Sequence, residues 1–178
     1  MSERFEVRVT KDHLVFCSGH FISYEGDRCE RLHGHNYRTT VELEAALDQN
    51  FYVFDFIALK NLTKSITETL DHRMLLATRN SHIKVIDELK SVRVSCRDRE
   101  WVFPREDCVL LPIENTTAEL LARYIGQRLL AAIRERHGFT PEVLRVQVEE
   151  NVGQSAVYEW YADSRRVGGT HPTASERL

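Results

Sequence analysis

Hydrophobic and polar positions alternate along several stretches of the chain, which is the pattern of strands that bury one face. Five segments show this pattern: residues 5–9, 11–21, 35–46, 143–150 and 156–161. Side chains two residues apart in a strand lie on the same face, so each segment should bury one apolar row. The first two segments are expected to form one strand with a break between them.

Two other stretches have the spacing of an amphipathic helix. In the first of them, apolar residues recur at intervals of three or four, at Leu59, Leu62, Ile66 and Leu70. Asp55 precedes this stretch and is suited to cap the N-terminus of the helix through its carboxylate. The helix should end near residues 71–72.

The second predicted helix follows residue 116 and carries a longer apolar stripe. Thr116 and Glu119 have the spacing of a capping box, with Thr116 as the cap and Glu119 reaching back to it. Gly138 is suited to the left-handed conformation that ends many helices. The predicted helix therefore lies between Thr116 and Gly138.

Residues 77–111 lie between the two helices and look like an insertion built mainly from a hairpin. Residues 92–96 and 101–103 are predicted to be its strands, and residues 85–90 a helical turn. Its arginines are interpreted as a solvated face, with contact to a phosphate as the alternative. The element order is strand, strand, helix, hairpin, helix, strand, strand. This order predicts an α+β fold in which an antiparallel sheet carries two helices on one face.

Composition narrows the class of protein. The 178 residues suit a single domain, placed at residues 1–163, and residues 164–178 are predicted to be a disordered tail. A net charge of -3 without a dense Lys/Arg run argues against a nucleic-acid partner. No apolar run suits a signal peptide or a membrane span, so a cytoplasmic protein without a membrane partner is expected. Its four cysteines form no CxxC pair and should be reduced.

The most informative chemistry lies around His33 and His35, which share the inward face of the strand with Tyr37. His20 ends the buried row of the preceding strand, so a hairpin between the two strands would bring three imidazoles together. Three neutral histidines can bind zinc and leave one coordination position open, the arrangement of catalytic zinc sites. The alternative is a chance His-x-His pair, because the chain has 8 histidines.

Two further positions carry candidate chemistry. Asp71 precedes His72 at the end of the first helix, where a carboxylate can orient an imidazole for proton transfer; the alternative is a histidine that interacts with the helix dipole. Glu150 ends an apolar row on its strand. A carboxylate there either pairs with a cation or binds the N–H donors of a ligand, unless it turns outward to solvent.

In chain order, these residues resemble the family of 6-pyruvoyltetrahydropterin and 6-carboxytetrahydropterin synthases. The resemblance covers nearly all of the chain except the insertion and the tail. It rests on an ordered set of motifs: Phe16-Cys-Ser-Gly-His20, Cys29-x-x-x-His33-Gly-His35-Asn-Tyr, Val53-x-Asp55-Phe-x-x-Leu59-Lys60, Leu70-Asp71-His72, Asn115-Thr-Thr-Ala-Glu119 and Val148-Glu-Glu150.

The resemblance implies a tunnelling fold of ββααββ subunits, assembled as a homohexamer of two stacked trimers with active sites between subunits. The resemblance also implies roles for nine residues. His20, His33 and His35 would be the zinc ligands, and Cys29 would be the proton-abstracting thiolate, with Asp71 and His72 as the acid–base pair. Glu150 would anchor the pterin, helped by Thr116 or Thr117. One departure concerns Glu30 beside the thiol, because some folate-pathway relatives use a glutamate in place of the cysteine.

The implied substrate is 7,8-dihydroneopterin triphosphate. The expected product is 6-carboxytetrahydropterin, a precursor of queuosine and other deazapurines, formed with loss of triphosphate and acetaldehyde. The alternatives are the pyruvoyl-forming elimination of triphosphate and cleavage of the side chain towards folate. A protein that binds zinc and pterin without turnover is the non-enzymatic alternative, although mere binding would not need Cys29, Asp71 and His72.

Overall fold

The computed structural model describes residues 3–10, 12 and 14–162. The tail predicted at residues 164–178 lies outside the described residues. The described residues form ten longer strands, two two-residue strands and two α-helices. In chain order these are β1 (Phe5–Val9), β2 (Val15–His20), β3 (Ser23–Tyr24), β4 (Arg28–Cys29), β5 (His33–Ala45), α1 (Phe56–Thr67), β6 (Arg73–Ala77), β7 (Ile83–Asp87), β8 (Ser91–Cys96), β9 (Arg99–Pro104), β10 (Cys108–Leu111), α2 (Ala118–His137), β11 (Val143–Asn151) and β12 (Gln154–Tyr161).

The long strand β5 lies at the centre of the main sheet, whose order is β10-β6-β2-β5-β11-β12. Along one edge, β5 pairs first with β2 and then with β1, so the predicted broken first strand is confirmed. The register places His20 opposite His33. The inward rows of β2, β5 and β11 are buried as their alternation predicts.

The sheet is mixed, so the prediction of an antiparallel sheet is wrong in part. Strand β6 pairs in parallel with β2 on one side and with β10 on the other. Residues 74–77 of β6 are all buried, because neighbours cover both of its faces. A short strand buried on both faces shows no alternation, which is why the sequence pattern did not indicate it.

The insertion is also richer in strands than predicted. Strands β7, β8 and β9 form a separate antiparallel sheet, here named the inserted sheet. The helical turn expected at residues 85–90 is wrong, because residues 83–87 form a strand that pairs with β8 along its whole length. The following strand β10 leaves the inserted sheet and pairs with β6 of the main sheet.

Helix α2 lies within the predicted bounds, whereas α1 ends at Thr67, before the expected residues 71–72. Asp55 caps α1 by accepting a hydrogen bond from the Ala58 N–H at 2.6 Å. Gly138 ends α2 in the left-handed conformation, with φ 59°. The predicted capping box of α2 is wrong, because Thr117 occupies the cap position and the Thr116 hydroxyl donates to the Phe21 carbonyl at 3.0 Å.

Two apolar clusters hold these elements together. The larger cluster combines buried residues of both helices with the inward rows of β2, β5 and β11, so the helices share one face of the sheet and the predicted α+β class is confirmed. The smaller cluster lies between the inserted sheet and the strands β6 and β10, and it includes Phe21, which follows β2. Within the described part of the chain, no helix has the length and apolar character needed to cross a membrane.

Candidate active site

Three histidines converge at the end of the hairpin formed by β2 and β5. The His20 ring lies 4.7 Å from that of His33 and 5.2 Å from that of His35, measured between centroids, and the last two are 4.7 Å apart. One ring nitrogen from each residue lies within 4.8 Å of the other two. The predicted convergence is therefore observed, and these three side chains could hold one metal ion.

Hydrogen bonds fix the protonation pattern of two of these rings. His20 Nδ1 lies 2.9 Å from the Thr116 carbonyl oxygen and His33 Nδ1 lies 2.8 Å from the Arg31 carbonyl oxygen. A carbonyl only accepts, so both Nδ1 atoms donate, and in the neutral form of each ring the lone pair is on Nε2. Backbone carbonyls hold metal-binding histidines in this way in many proteins.

The buried Nε2 of His20 lacks a hydrogen-bond partner among the described residues. Burial lowers the pKa of this ring, so it is neutral near pH 7 and offers a lone pair. The atom that faces it at 3.3 Å is a carboxylate oxygen of Glu150, which is also an acceptor. Two acceptors at this distance are stabilised by a cation between or beside them, so the residues present fit a bound metal ion.

Glu150 stays on the inward row of β11 and points at the histidines instead of turning outward. Its Oε1 atom lies 3.5 Å from His35 Nε2 and accepts a hydrogen bond from the Tyr37 hydroxyl at 3.3 Å. Burial raises the pKa of Tyr37, so its hydroxyl remains a donor. The neighbouring Glu149 lies on the other side of the strand and accepts from the Gly153 N–H.

A cavity of about 600 Å³ opens beside the histidines. Its walls come from the ends of β2 and β5, the residues on either side of the β3–β4 hairpin, the start of α2 and the β11–β12 hairpin. The lining residues are His20, Ile22, Glu30, His33, Thr117, Ala118, Glu119, Glu150, Gly153, Gln154, Ser155 and Ala156. Thr117 lines the cavity, whereas the hydroxyl of Thr116 is bonded to the backbone. Three of these described lining residues are glutamates and none is a lysine or arginine, so the wall is anionic.

The side chains of Cys29 and Glu30 point in different directions. Cys29 packs against the smaller apolar cluster, where burial and a hydrogen bond with Cys96 raise the pKa of its thiol to about 12. Glu30, the next residue, lines the cavity and lies 3.9 Å from His33 Nδ1. The sequence drew attention to Cys29, whereas the structure places the carboxylate of Glu30 in the cavity.

Asp71 and His72 form the pair expected from the sequence. Asp71 Oδ2 lies 2.9 Å from His72 Nδ1, and Oδ1 accepts the Cys17 N–H at 2.7 Å. That backbone hydrogen bond, followed by the contact with His72, lowers the pKa of the Asp71 carboxyl group. The imidazole is 82% exposed and lies outside the described cavity lining. Since α1 ends at Thr67, the carboxylate rather than the helix dipole orients this ring.

Comparison with known proteins identifies the family of the chain. The sequence model of the family described as 6-pyruvoyl tetrahydropterin synthase matches residues 8–160. The chain belongs to this family. It is similar to a putative 6-carboxy-5,6,7,8-tetrahydropterin synthase from Methanocaldococcus jannaschii, with 30% identity over 151 residues, which are 84% of this chain and 92% of the relative. A protein of the same name from Pyrococcus abyssi is 34% identical over 76% of this chain and 80% of its own.

Solved structures of the family have the same fold. The 6-pyruvoyltetrahydropterin synthase of Plasmodium vivax is similar with a TM-score of 0.84 and 27% identity, covering 90% of this chain and all of its own (100%). A variant of that enzyme in which a catalytic glutamate is replaced by alanine is similar with a TM-score of 0.83. The mixed sheet with two helices is therefore the tunnelling fold of pterin synthases, and the chain is a pterin synthase by family.

Proposed function

We propose that this protein is a zinc-dependent lyase acting on 7,8-dihydroneopterin triphosphate. With one water, the substrate would give 6-carboxytetrahydropterin, acetaldehyde and triphosphate. The observation that carries the proposal is the buried, unpartnered Nε2 of His20, which faces Glu150 at the edge of an open cavity. The names of the archaeal relatives support the carboxy-forming reaction.

The three histidines would hold the metal. When bound there, zinc supplies a Lewis acid that polarises oxygens of the substrate side chain and acidifies neighbouring C–H bonds. Three imidazoles suit zinc among several divalent metals. His20 is anchored by Thr116 and His33 by Arg31, so both rings are already oriented for this role.

Glu150 would anchor the pterin ring. An ionised carboxylate accepts two N–H groups of a pterin in charge-assisted hydrogen bonds. The Tyr37 hydroxyl donates a hydrogen bond to this carboxylate, and the Thr117 side chain also lines the cavity. Of the two threonines expected to help, we therefore assign the role to Thr117.

Cys29 would remove the proton from the substrate, and Asp71 would orient His72 as the partner acid–base group. A thiol with a pKa of about 12 is protonated at neutral pH, so a cation must approach before Cys29 can act. Neither Cys29 nor His72 belongs to the described lining of the cavity. We infer that a second copy of the chain completes the site, with a homohexamer as the expected assembly.

The position of Glu30 favours a second candidate, cleavage of the substrate side chain to a hydroxymethyl pterin. Its carboxylate already lines the cavity, whereas the Cys29 thiol packs against Cys96. The similar Plasmodium vivax enzyme has a glutamate as a catalytic residue. In this reaction Glu30 would act as the base in place of the thiol.

Product identification distinguishes these reactions. Zinc-loaded protein is incubated with 7,8-dihydroneopterin triphosphate, and the pterins and aldehydes are identified by mass spectrometry. The proposal predicts 6-carboxytetrahydropterin together with acetaldehyde. A pyruvoyl product would indicate elimination of triphosphate alone, and a hydroxymethyl product would indicate the second candidate. Unchanged substrate, with zinc bound and the protein folded, would contradict enzymatic function and leave a pterin-binding protein.

A further inference from the structure

The loop that carries Cys29 and Glu30 has little structure of its own. Its hairpin consists of β3 and β4, which pair through only two residues each, Ser23 with Cys29 and Tyr24 with Arg28. A hairpin this short is marginal without support from other elements. The position of its side chains is therefore determined by what packs against it.

The inserted sheet supplies this support. The Trp101 ring stacks on Phe21 with centroids 4.5 Å apart, at the start of the loop. Arg97 forms an ion pair with Asp27 at 2.8 Å, at the tip of the hairpin. Cys96 contacts Cys29 at its end. The β8–β9 hairpin thus touches the loop at its start, tip and end.

Arg99 makes the contact nearest to the candidate base. Its Nη1 atom donates to the carbonyl oxygen of Cys29 at 3.1 Å and to that of Glu30 at 2.9 Å. One donor shared by two consecutive carbonyls fixes the orientation of the peptide between them. That orientation sends the thiol towards Cys96 and the carboxylate into the cavity.

We propose that the inserted sheet positions the reactive loop of this enzyme and that Arg99 is the positioning residue. This proposal rests on the proposed function at one point, which is that Cys29 or Glu30 is the base that removes the substrate proton. Arg99 is not itself among the described lining residues of the cavity and contacts Cys29 and Glu30 through their backbone carbonyls, so its effect passes through the backbone of the loop. Loss of Arg99 frees both carbonyls and lets the loop change its conformation.

The test compares Arg99→Gln with Arg93→Gln in the zinc-loaded protein. Arg93 lies on the same inserted sheet and pairs with Glu88 and Glu100, outside the loop, so it is a control for the loss of charge. For Arg99→Gln we expect a fall in kcat of roughly 100-fold, the effect of a misplaced reactive group, with little change in KM and in zinc content. Arg93→Gln should keep the wild-type kcat.

Two readouts do not depend on turnover. Amide hydrogen exchange in residues 22–31 should become faster in Arg99→Gln and stay unchanged in Arg93→Gln. Alkylation of Cys29 by iodoacetamide, measured on its peptide, should also become faster because the thiol becomes accessible. A purely electrostatic role gives the opposite sign, since the Arg99 charge lowers the pKa of this thiol and its loss slows alkylation.

Each outcome decides the proposal. Unchanged exchange, slower alkylation or an unchanged kcat in Arg99→Gln would overturn it. Should that variant fail to fold, Arg97→Gln carries the test at the exposed ion pair with Asp27, and faster exchange in residues 22–31 is then required. If the wild-type protein has no turnover, the proposed function fails, while exchange and alkylation still decide whether the inserted sheet holds the loop.

Discussion

The Cys29 thiol should be unusually unreactive in the protein without added metal. Its pKa is raised to about 12 from an ordinary value of 9.0, because the side chain is partly buried and hydrogen-bonded with Cys96. The thiolate is the nucleophile, so a shift of this size reduces the reactive fraction at pH 8 by on the order of 1000-fold. Iodoacetamide should therefore modify Cys29 at least that much more slowly than the same residue in the unfolded chain.

The pH dependence separates this electrostatic effect from simple steric protection. In the folded protein, the rate at Cys29 should rise about tenfold per pH unit up to pH 10, because the thiol stays below its pKa throughout. Peptide mapping by mass spectrometry follows Cys29 separately from the exposed Cys17. A plateau near pH 9 in the folded protein would refute the reasoning, because it would show an ordinary thiol pKa. Zinc loading should increase the rate at neutral pH if the metal lowers the thiol pKa.

Three further predictions concern the site. Cys29→Ala should keep zinc and assembly but lose turnover, whereas Glu30→Gln should keep turnover; the reverse result, measured as kcat, would favour the second candidate reaction. Tyr37→Phe removes the hydroxyl that donates a hydrogen bond to the Glu150 carboxylate. The KM for the pterin substrate should therefore rise, and the free energy of unfolding should fall by about 1 kcal/mol. Asp71→Asn should lower kcat by roughly 100-fold or more. The Asp71 carboxyl group has a lower pKa in the folded protein than in the unfolded chain, so its ionised form stabilises the fold at pH values above the pKa of the unfolded chain. This stabilisation is lost as pH falls through the pKa of the folded protein. The free energy of unfolding in urea should therefore depend less on pH below 4 in Asp71→Asn than in the wild type.

The alternation of apolar and polar residues along the chain was sufficient to predict the part of the site that lies on long strands. His33, His35 and Tyr37 share one face because strand side chains have a period of two, and the antiparallel pairing of β2 with β5 places His20 opposite His33. Glu150 follows from the same rule, because it extends the buried row of β11. These positions depend on local geometry and on one hairpin.

The remaining features depend on contacts between distant segments, which alternation does not encode. Residues 74–77 are buried on both faces and give no periodic signal. The direction of Cys29 is set by Cys96 and Arg99, which lie in the insertion about seventy residues further along the chain. Thr116 fits a capping box in sequence, but a hydrogen bond to Phe21 in another element takes its hydroxyl away from the helix.

Every role assigned to the site requires that His20, His33 and His35 bind one metal ion. The most direct measurement is the zinc content per chain of purified protein, determined by inductively coupled plasma mass spectrometry. His33→Ala is compared with His82→Ala, which changes an exposed histidine outside the cluster. We predict one zinc per chain in the wild type and in His82→Ala, and loss of zinc in His33→Ala. Zinc retained in His33→Ala, or absent from the wild type after loading, would contradict the three-histidine centre.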